Sequence, residues 1–400
     1  MRIRERLFMS QRLFTLSLIT ALRGTRDNLR MVVWQPFAIS LGLDMRSIGT
    51  LESVMDLVKN LMEPAFGAIS DAIGRKKLTV LREVLIVVAS ITFVLAWSWH
   101  LLFVGIVLLG ISAALVSVWS TMVAESAEET NLASVYGILG TFYTGAGLLG
   151  AFSAGYIADA LGLRVVYGMS AILAGATLFL VWRRLPETRR GDPKPINWRE
   201  AVTAFSGAFN PPKSLRGFYA AMTLDLIAFN TGVRLINGML AKGYGYTPGM
   251  IGLCLTAMTL TWALLQIPFG RLSDRFGYTR FLALSQFTAC IMLGICIYSK
   301  AFEYIFVAHL IFGLANAFWM PAEQAWIAAN VDPAERGKAL SNFSAFRGFL
   351  AIPAPMIGGW LFDAYGFDIP IAFNLILAFL DGVLILLVVK DKPRRALLPT

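Results

Sequence analysis

The sequence predicts an all-α integral membrane protein of twelve transmembrane helices, arranged as two pseudo-symmetric six-helix bundles (6+6) with both termini cytoplasmic. Three observations predict it: an apolar composition, a series of apolar windows of spanning length, and a phrase repeated at half the chain's length. Hydrophobic residues make up 57% and charged residues 15%, with a mean hydropathy of +0.65. A soluble domain carries about 25% charged residues. This chain lacks the polar surface to cover itself, so lipid is its solvent. Residues 67–77 read GAISDAIGRKK and residues 270–280 read GRLSDRFGYTR. Gly67, Asp71 and Gly74 thus recur as Gly270, Asp274 and Gly277, each 203 positions on. Internal duplication in a hydrophobic chain is a mark of many transporters.

Windows of about 20 mainly apolar residues cross a bilayer as helices. They run in order, as spans 1 to 12, over 13–40, 47–69, 78–97, 101–123, 133–158, 164–182, 216–240, 249–271, 279–299, 303–328, 338–362 and 369–389. Span 1 follows basic residues, as a signal peptide does. Arg23 and Arg26 stand where a small-residue cleavage site is needed, so the segment reads as a helix. Span 2 ends in the first copy of the phrase and span 8 in the second. Span 5 contains GAGLLG at 145–150, a dinucleotide-type fingerprint without the preceding strand that the chemistry needs, so it reads as small residues for close helix packing. The 203 shift also pairs Ile48-Gly49 with Ile251-Gly252 and Gly110 with Gly313, and, with one residue of slip, Asp159 with Asp363. The expected organisation is a bundle over 1–182, a cytoplasmic linker over 183–215 and a bundle over 216–400. Within the linker, 196–209 reads either as a short amphipathic surface helix or as irregular chain.

The net charge of +10 follows the topology and not a nucleic-acid partner. Arg2, Arg4, Arg6 and Arg12, then Arg75, Lys76 and Lys77, then Arg183, Arg184, Arg189 and Arg190, then Arg271, Arg275 and Arg280, and finally Arg394 and Arg395 fall on one side if both termini are cytoplasmic, as the positive-inside rule requires. The opposite loops carry only Arg46, Arg164, Lys242 and Lys300. Glu125, Glu128 and Glu129 interrupt the basic side, but acidic residues weigh little in that rule.

The membrane windows contain charges that lipid cannot hold. Arg23, Arg26, Asp27 and Arg30 share one face of span 1, and Glu52, Asp56, Lys59 and Glu63 share one face of span 2. At about 3 kcal/mol each near the bilayer centre, turning all of them to lipid would cost on the order of 20 kcal/mol or more. They must face protein or water. The first set sums to +2 and the second to −2, and matched depth pairs Arg30 with Asp56 and Glu52, Arg26 and Asp27 with Lys59, and Arg23 with Glu63. Two readings stay open: a structural ion-pair ladder, or a substrate or proton site whose partners exchange during transport. Asp27 and Asp56 are the proton-site candidates. A carboxylate beside an arginine stays ionised, and a substrate that competes for the arginine frees it to take a proton.

The second half offers Asp225, Asn230, Arg234 and Asn237 in span 7, His309, Asn316, Trp319, Glu323 and Gln324 in span 10, and Asn342 and Arg347 in span 11. Together with Arg26 and Arg30, Arg234 and Arg347 would make an electropositive cavity suited to an anionic solute. Trp119, Tyr143 and Trp319 read as apolar cavity walls or as interhelical packing. No cofactor or metal is expected. Cys254, Cys290 and Cys296 all lie in spans, His100 and His309 are isolated, and no Gly-Lys-Ser/Thr phosphate loop occurs. The expected partners are a small-molecule substrate, protons or another coupling ion, and the lipid bilayer, with no nucleic acid and with the chain a monomer.

The spans, the duplication, the basic central loop and the G-x-x-x-D-x-x-G-R-K-K phrase at 67–77 resemble the major facilitator superfamily over nearly the whole chain. The resemblance implies that spans 1, 4, 7 and 10 line a central cavity and that the halves rock to give alternating access. It also implies a cytoplasmic gate made by Gly67, Asp71, Gly74 and Arg75 with Gly270, Asp274, Arg275 and Gly277. Gly67 and Gly270 would permit close helix approach, Gly74 and Gly277 tight turns, and a helix N-terminus with an arginine would hold each aspartate. Proton-coupled drug exporters of the family usually carry an arginine four residues before a glycine in span 4, where this chain has Ile106 before Gly110. They also carry Gly-Pro in span 5, where it has Gly150-Ala151; an Ala-Pro-x-x-Gly-Gly stretch lies instead at 354–359 in span 11. The function expected is secondary transport of a small organic solute, with a lipid flippase or a non-transporting sensor as the alternatives.

Overall fold

The computed structural model describes residues 11–126, 132–189, 206–331 and 336–391. Among these it is helical throughout, with no strand. In chain order the helices are α1 (Gln11–Ser40), α2 (Met45–Ile73), α3 (Arg75–Val94), α4 (Trp99–Ala114), α5 (Val116–Ser126), α6 (Leu132–Leu161), α7 (Leu163–Arg184), α8 (Arg216–Thr231), α9 (Ile236–Tyr244), α10 (Pro248–Phe276), α11 (Tyr278–Tyr298), α12 (Phe302–Asn330), α13 (Arg336–Leu350), α14 (Ala354–Tyr365) and α15 (Asp368–Val388). A helix falls in every predicted window. Eight segments of the described residues are long and apolar enough to cross a membrane: 99–126, 135–161, 163–184, 248–276, 278–298, 302–327, 339–365 and 368–388. Three of the other windows, in α1, α2 and α3, hold the intramembrane charges, and the fourth is divided between α8 and α9. Most of 196–209, with Arg2, Arg4, Arg6, Glu128, Glu129, Arg190, Arg394 and Arg395, lies outside the described residues.

Three windows are interrupted. Span 4 breaks at Leu115, between α4 and α5. Span 11 breaks between α13 and α14, where Pro353 and Pro355 each remove a backbone donor. Span 7 breaks at Gly232, and a 3₁₀ turn over Val233–Leu235 leads into α9.

The chain forms two compact units. The first takes in Met1–Ala204, Arg234–Thr256 and Ile352–Phe367; the second takes in Phe205–Val233, Ala257–Ala351 and Asp368–Thr400. In the first unit α1 packs on α6 and α7, α3 on α4 and α7, α2 on α4 and α14, and α9 on α1. Two glycines set the approach of α2 to α14. A Cβ on Gly49 would stand 2.1 Å from the Pro355 carbonyl oxygen, and one on Gly359 would stand 2.0 Å from that of Met45. Small residues let helix backbones meet in lipid. In the second unit α11 packs on α12 and α15, and α8 on α15 and α13, around Phe218, Met222, Phe318, Trp319, Trp326 and Phe343.

Two packing expectations are corrected. Although α1 and α2 are consecutive, they barely touch, because α1 spends its faces on α6 and α7. Nor does Gly67 serve a close approach here: a Cβ there would meet nothing within 4 Å, and one on Gly270 would make only an ordinary 3.4 Å contact with Pro321.

Candidate functional site

The charges of α1 converge on a group that the window analysis passed over. Glu83 of α3 is fully buried. Its Oε2 accepts a hydrogen bond from Arg26 Nη1 at 2.7 Å, and its Oε1 accepts one from Arg82 Nη1 at 2.6 Å. Arg23 Nη2 lies 2.7 Å from Oε1 as a charge contact outside hydrogen-bond alignment. Arg26 Nε also donates to Asp27 Oδ1 at 3.1 Å, and the Tyr143 hydroxyl donates to Asp27 Oδ2 at 3.4 Å. The Arg23 guanidinium stacks 3.8 Å from the Trp119 ring centroid, a cation–π contact. Arg30 is half-buried, forms no ion pair among the described residues and lies within electrostatic reach of Asp27. Four guanidinium groups therefore stand against two carboxylates, an excess of two positive charges. Four buried donors, Arg23 Nε, Arg23 Nη2, Arg26 Nη2 and Arg82 Nε, have no hydrogen-bond acceptor among the described residues.

The carboxylates of α2 belong to a second cluster. Arg234, in the turn that leads into α9, grips both. Its Nη2 donates to Glu52 Oε2 at 2.7 Å and its Nη1 to Asp56 Oδ2 at 2.5 Å, with further bonds from Nε and Nη2. Trp34 Nε1 donates to Glu52 Oε1 at 2.7 Å. Gln35 of α1 satisfies the broken backbone, with Nε2 donating to the Arg234 carbonyl at 2.8 Å and Oε1 accepting from Gly238 N–H at 2.6 Å. The expected ladder between spans 1 and 2 is therefore not formed. Arg23 and Arg26 pair with Glu83 instead of with Glu63 and Lys59, and Glu52 and Asp56 pair with Arg234 instead of with Arg30. Lys59 and Glu63 lie a helical turn apart on α2, half-buried and in electrostatic reach of each other, with no ion pair among the described residues.

In the second unit Arg347 Nη1 donates to Glu323 Oε1 at 2.6 Å, and its guanidinium lies 4.5 Å from the Phe343 centroid. Trp319 belongs to the apolar core and Asn230 is buried. His309 donates from Nδ1 to the Ile305 carbonyl of its own helix at 2.8 Å, as a satisfied packing residue does. Asp225 Oδ1 accepts from Gln286 Nε2 at 2.7 Å.

The repeated phrase builds two matching corners. Gly74 and Gly277 both sit at φ +102°, which a side chain would strain. Asp71 pairs with Arg75 at 2.6 Å, and Arg75 also reaches Glu125 at 3.4 Å. Asp274 accepts from the Tyr278 hydroxyl at 3.0 Å, and the Arg275 guanidinium lies 5.4 Å from the Phe276 ring centroid. The free N–H groups at the starts of α3 and α11 hold neither aspartate. Glu187 takes Arg75 N–H at 2.9 Å and Lys76 N–H at 3.2 Å, while Asp391 takes Thr279 N–H at 3.2 Å. Each corner thus has a carboxylate from the segment after its bundle's last helix, which sequence spacing did not single out.

Partial burial pushes the Glu187 carboxyl up, but the backbone N–H groups of Arg189, Arg75, Lys76 and Thr188 outweigh it and hold the group below the usual carboxylate range. A depressed value stabilises the fold above the unfolded value of about 4.3 and is lost as pH falls through the folded one. Acidification below about pH 4 should therefore remove a small increment of thermal stability that Glu187→Gln lacks at every pH. The group is exposed, so the increment is under about 1 kcal/mol. Melting curves of both proteins across that range check it.

Long apolar helices with charges paired in their interior mark a multi-pass membrane protein. The chain belongs to the Major Facilitator Superfamily, whose sequence model matches residues 16–239 and again 217–400. Members of this family are transporters and not enzymes. The chain is similar to the multi-drug resistance efflux pump PmrA of Streptococcus pneumoniae, 23% identical over 343 residues, covering 83% of this chain and 84% of the pump. It is also similar to the multidrug resistance protein MdtG of Proteus mirabilis, 26% identical over 361 residues and covering 83% of each. Among solved structures it matches the nucleoside transporter NupG with a TM-score of 0.78 at 12% identity, over 94% of this chain and all of that one. That likeness bears on the fold alone.

Proposed function

We propose that this chain is a secondary active transporter that moves a small organic anion across the cell membrane by alternating access, coupled to protons. The observation that carries the reading is the excess of two positive charges around Glu83, together with four buried guanidinium donors that lack hydrogen-bond acceptors among the described residues. A buried cation cluster of this kind is expensive in a membrane unless an anion completes it, and guanidinium forks suit carboxylates and phosphates. In this reading all twelve windows span the bilayer, both termini are cytoplasmic, and bundles over 1–182 and 216–400 are joined by 183–215 in a monomer. The one-sided basic loops and the repeated phrase support that arrangement. The departures at Ile106 and Ala151 from the drug-exporter pattern favour an anion over a cationic drug, while the names of the relatives support export.

The mechanism follows from the pairs. Arg30, the cluster guanidinium without an ion pair among the described residues, meets the anion first. The anion then competes with Asp27 for Arg26, and Asp27 is free to take a proton. Arg234 lets go of Glu52 and Asp56 when α9 leaves α2, so these ion pairs exchange once per cycle. Asp71, Gly74 and Arg75, with Asp274, Arg275 and Gly277, act at the cytoplasmic end as the gate. Proteoliposome flux with organic anions and organic cations, with and without a pH gradient, tests the reading. Saturable anion flux that responds to the gradient is expected; flux of cations alone rules the reading out.

A further inference from the structure

The second unit holds a buried acidic group with no hydrogen-bond partner among the described residues. Asp381 of α15 is fully buried, and neither of its carboxyl oxygens has a hydrogen-bond partner. Asp225 of α8 is within its electrostatic reach. Gln286 of α11 joins the two positions: its Nε2 donates to Asp225 Oδ1, and its Cβ lies 3.2 Å from where a side chain on Gly382, next to Asp381, would begin. The other groups facing the pair leave its charge unmet. From α11, Cys290 spends its thiol on the Leu375 carbonyl. Arg347 of α13 and Glu323 of α12, both felt at Asp225, neutralise each other at 2.6 Å. On α15, Asn374 accepts from the Val233 N–H.

We propose that Asp381, buried in the field of Asp225, binds a proton and forms a proton-binding site in the second unit, distinct from the arginine cluster of the first. Two carboxylates in one dry site cannot both ionise, and an unpaired buried carboxylate is among the costliest groups a membrane helix carries. A single proton settles both. It forms an O–H bond on Asp381 and leaves Asp225, held by Gln286, the only charge of the two. A hard metal cation fits poorly, since such ions gather about six or more oxygens, and no group of three or more metal-binding side chains occurs among the described residues. The internal repeat supports a dedicated site. At the 203 shift Glu83 becomes Gln286, so the same position holds arginines in one half and an acid in the other.

The coupling role of this proton rests on the transporter reading, but its presence does not. Infrared difference spectra of the purified full chain, recorded between acidic and alkaline buffers without any solute, read it directly. A buried carboxylic-acid carbonyl band is expected in the wild type, lost in Asp381→Asn and shifted in both Asp225→Asn and Asp381→Glu. Asp381→Glu keeps the test alive if the Asn variant fails to fold. A band unchanged in all three variants, or one abolished at constant pH by sodium chloride but not by choline chloride, overturns the proposal. In liposomes, gradient-driven accumulation that survives Asp381→Asn overturns the coupling role. A band present in a chain that transports nothing leaves the proton site standing and removes the function proposed above.

Discussion

Glu83→Ala is expected to destabilise the protein by about 3–5 kcal/mol or to prevent its recovery in folded form. Removing one partner of a buried ion pair leaves the other charge unmet, and that is where the cost arises. Here the carboxylate serves three guanidinium groups at once, with Arg26 and Arg23 on α1 and Arg82 beside it on α3. The contact therefore ties α1 to α3 electrostatically. Glu83→Gln keeps the shape and loses the charge, so most of the penalty should remain. Thermal unfolding of the solubilised variants measures both. A loss under about 1 kcal/mol in Glu83→Ala would show that the arginines find water or lipid headgroups instead.

The second large effect is expected at Arg234. Arg234→Met strands Glu52 and Asp56 together, both gripped by the one side chain, and should cost about 3–5 kcal/mol. Replacing all three, as Arg234→Met with Glu52→Met and Asp56→Leu, should recover most of that loss, because a well-packed apolar trio is often as stable as the buried ions. The triple variant then separates the two readings of these charges. A structural ladder predicts that it transports as the wild type does. Exchange of ion pairs during the cycle predicts a stable protein without flux.

The fold was legible because lipid imposes it. Apolar windows must be long, charges must turn inward, and a duplicated phrase such as Gly67-to-Lys77 must sit at corresponding corners of two halves. The partners of the charges were less legible. Helical spacing places Arg23, Arg26 and Asp27 on one face but does not say which helix that face meets. Spans 1 and 2 are consecutive, yet α1 lies against α6 and α7, so the α2 carboxylates were free for Arg234. Glu83 and Asp381 could have been found. Each is an acid inside a membrane window, the same signal that drew attention to Asp27 and Asp56. Trp319 could not be placed, since a core aromatic and a cavity wall look alike in sequence; it lies in the core of the second unit. The Glu187 and Asp391 caps depend on how the chain folds back after α7 and α15, which no local pattern encodes.

In the proposed mechanism the arginine cluster binds an organic anion through Arg30. Thermal stabilisation of the solubilised protein by a panel of organic carboxylates, phosphates and cations measures binding without transport, because a ligand at about 100 times its Kd adds about 2.7 kcal/mol. At least one anion is expected to raise the melting temperature of the wild type, and Arg30→Gln, which breaks no ion pair among the described residues, is expected to fold as stably yet lose that response. Equal stabilisation of Arg30→Gln, or stabilisation by cations alone, would contradict it.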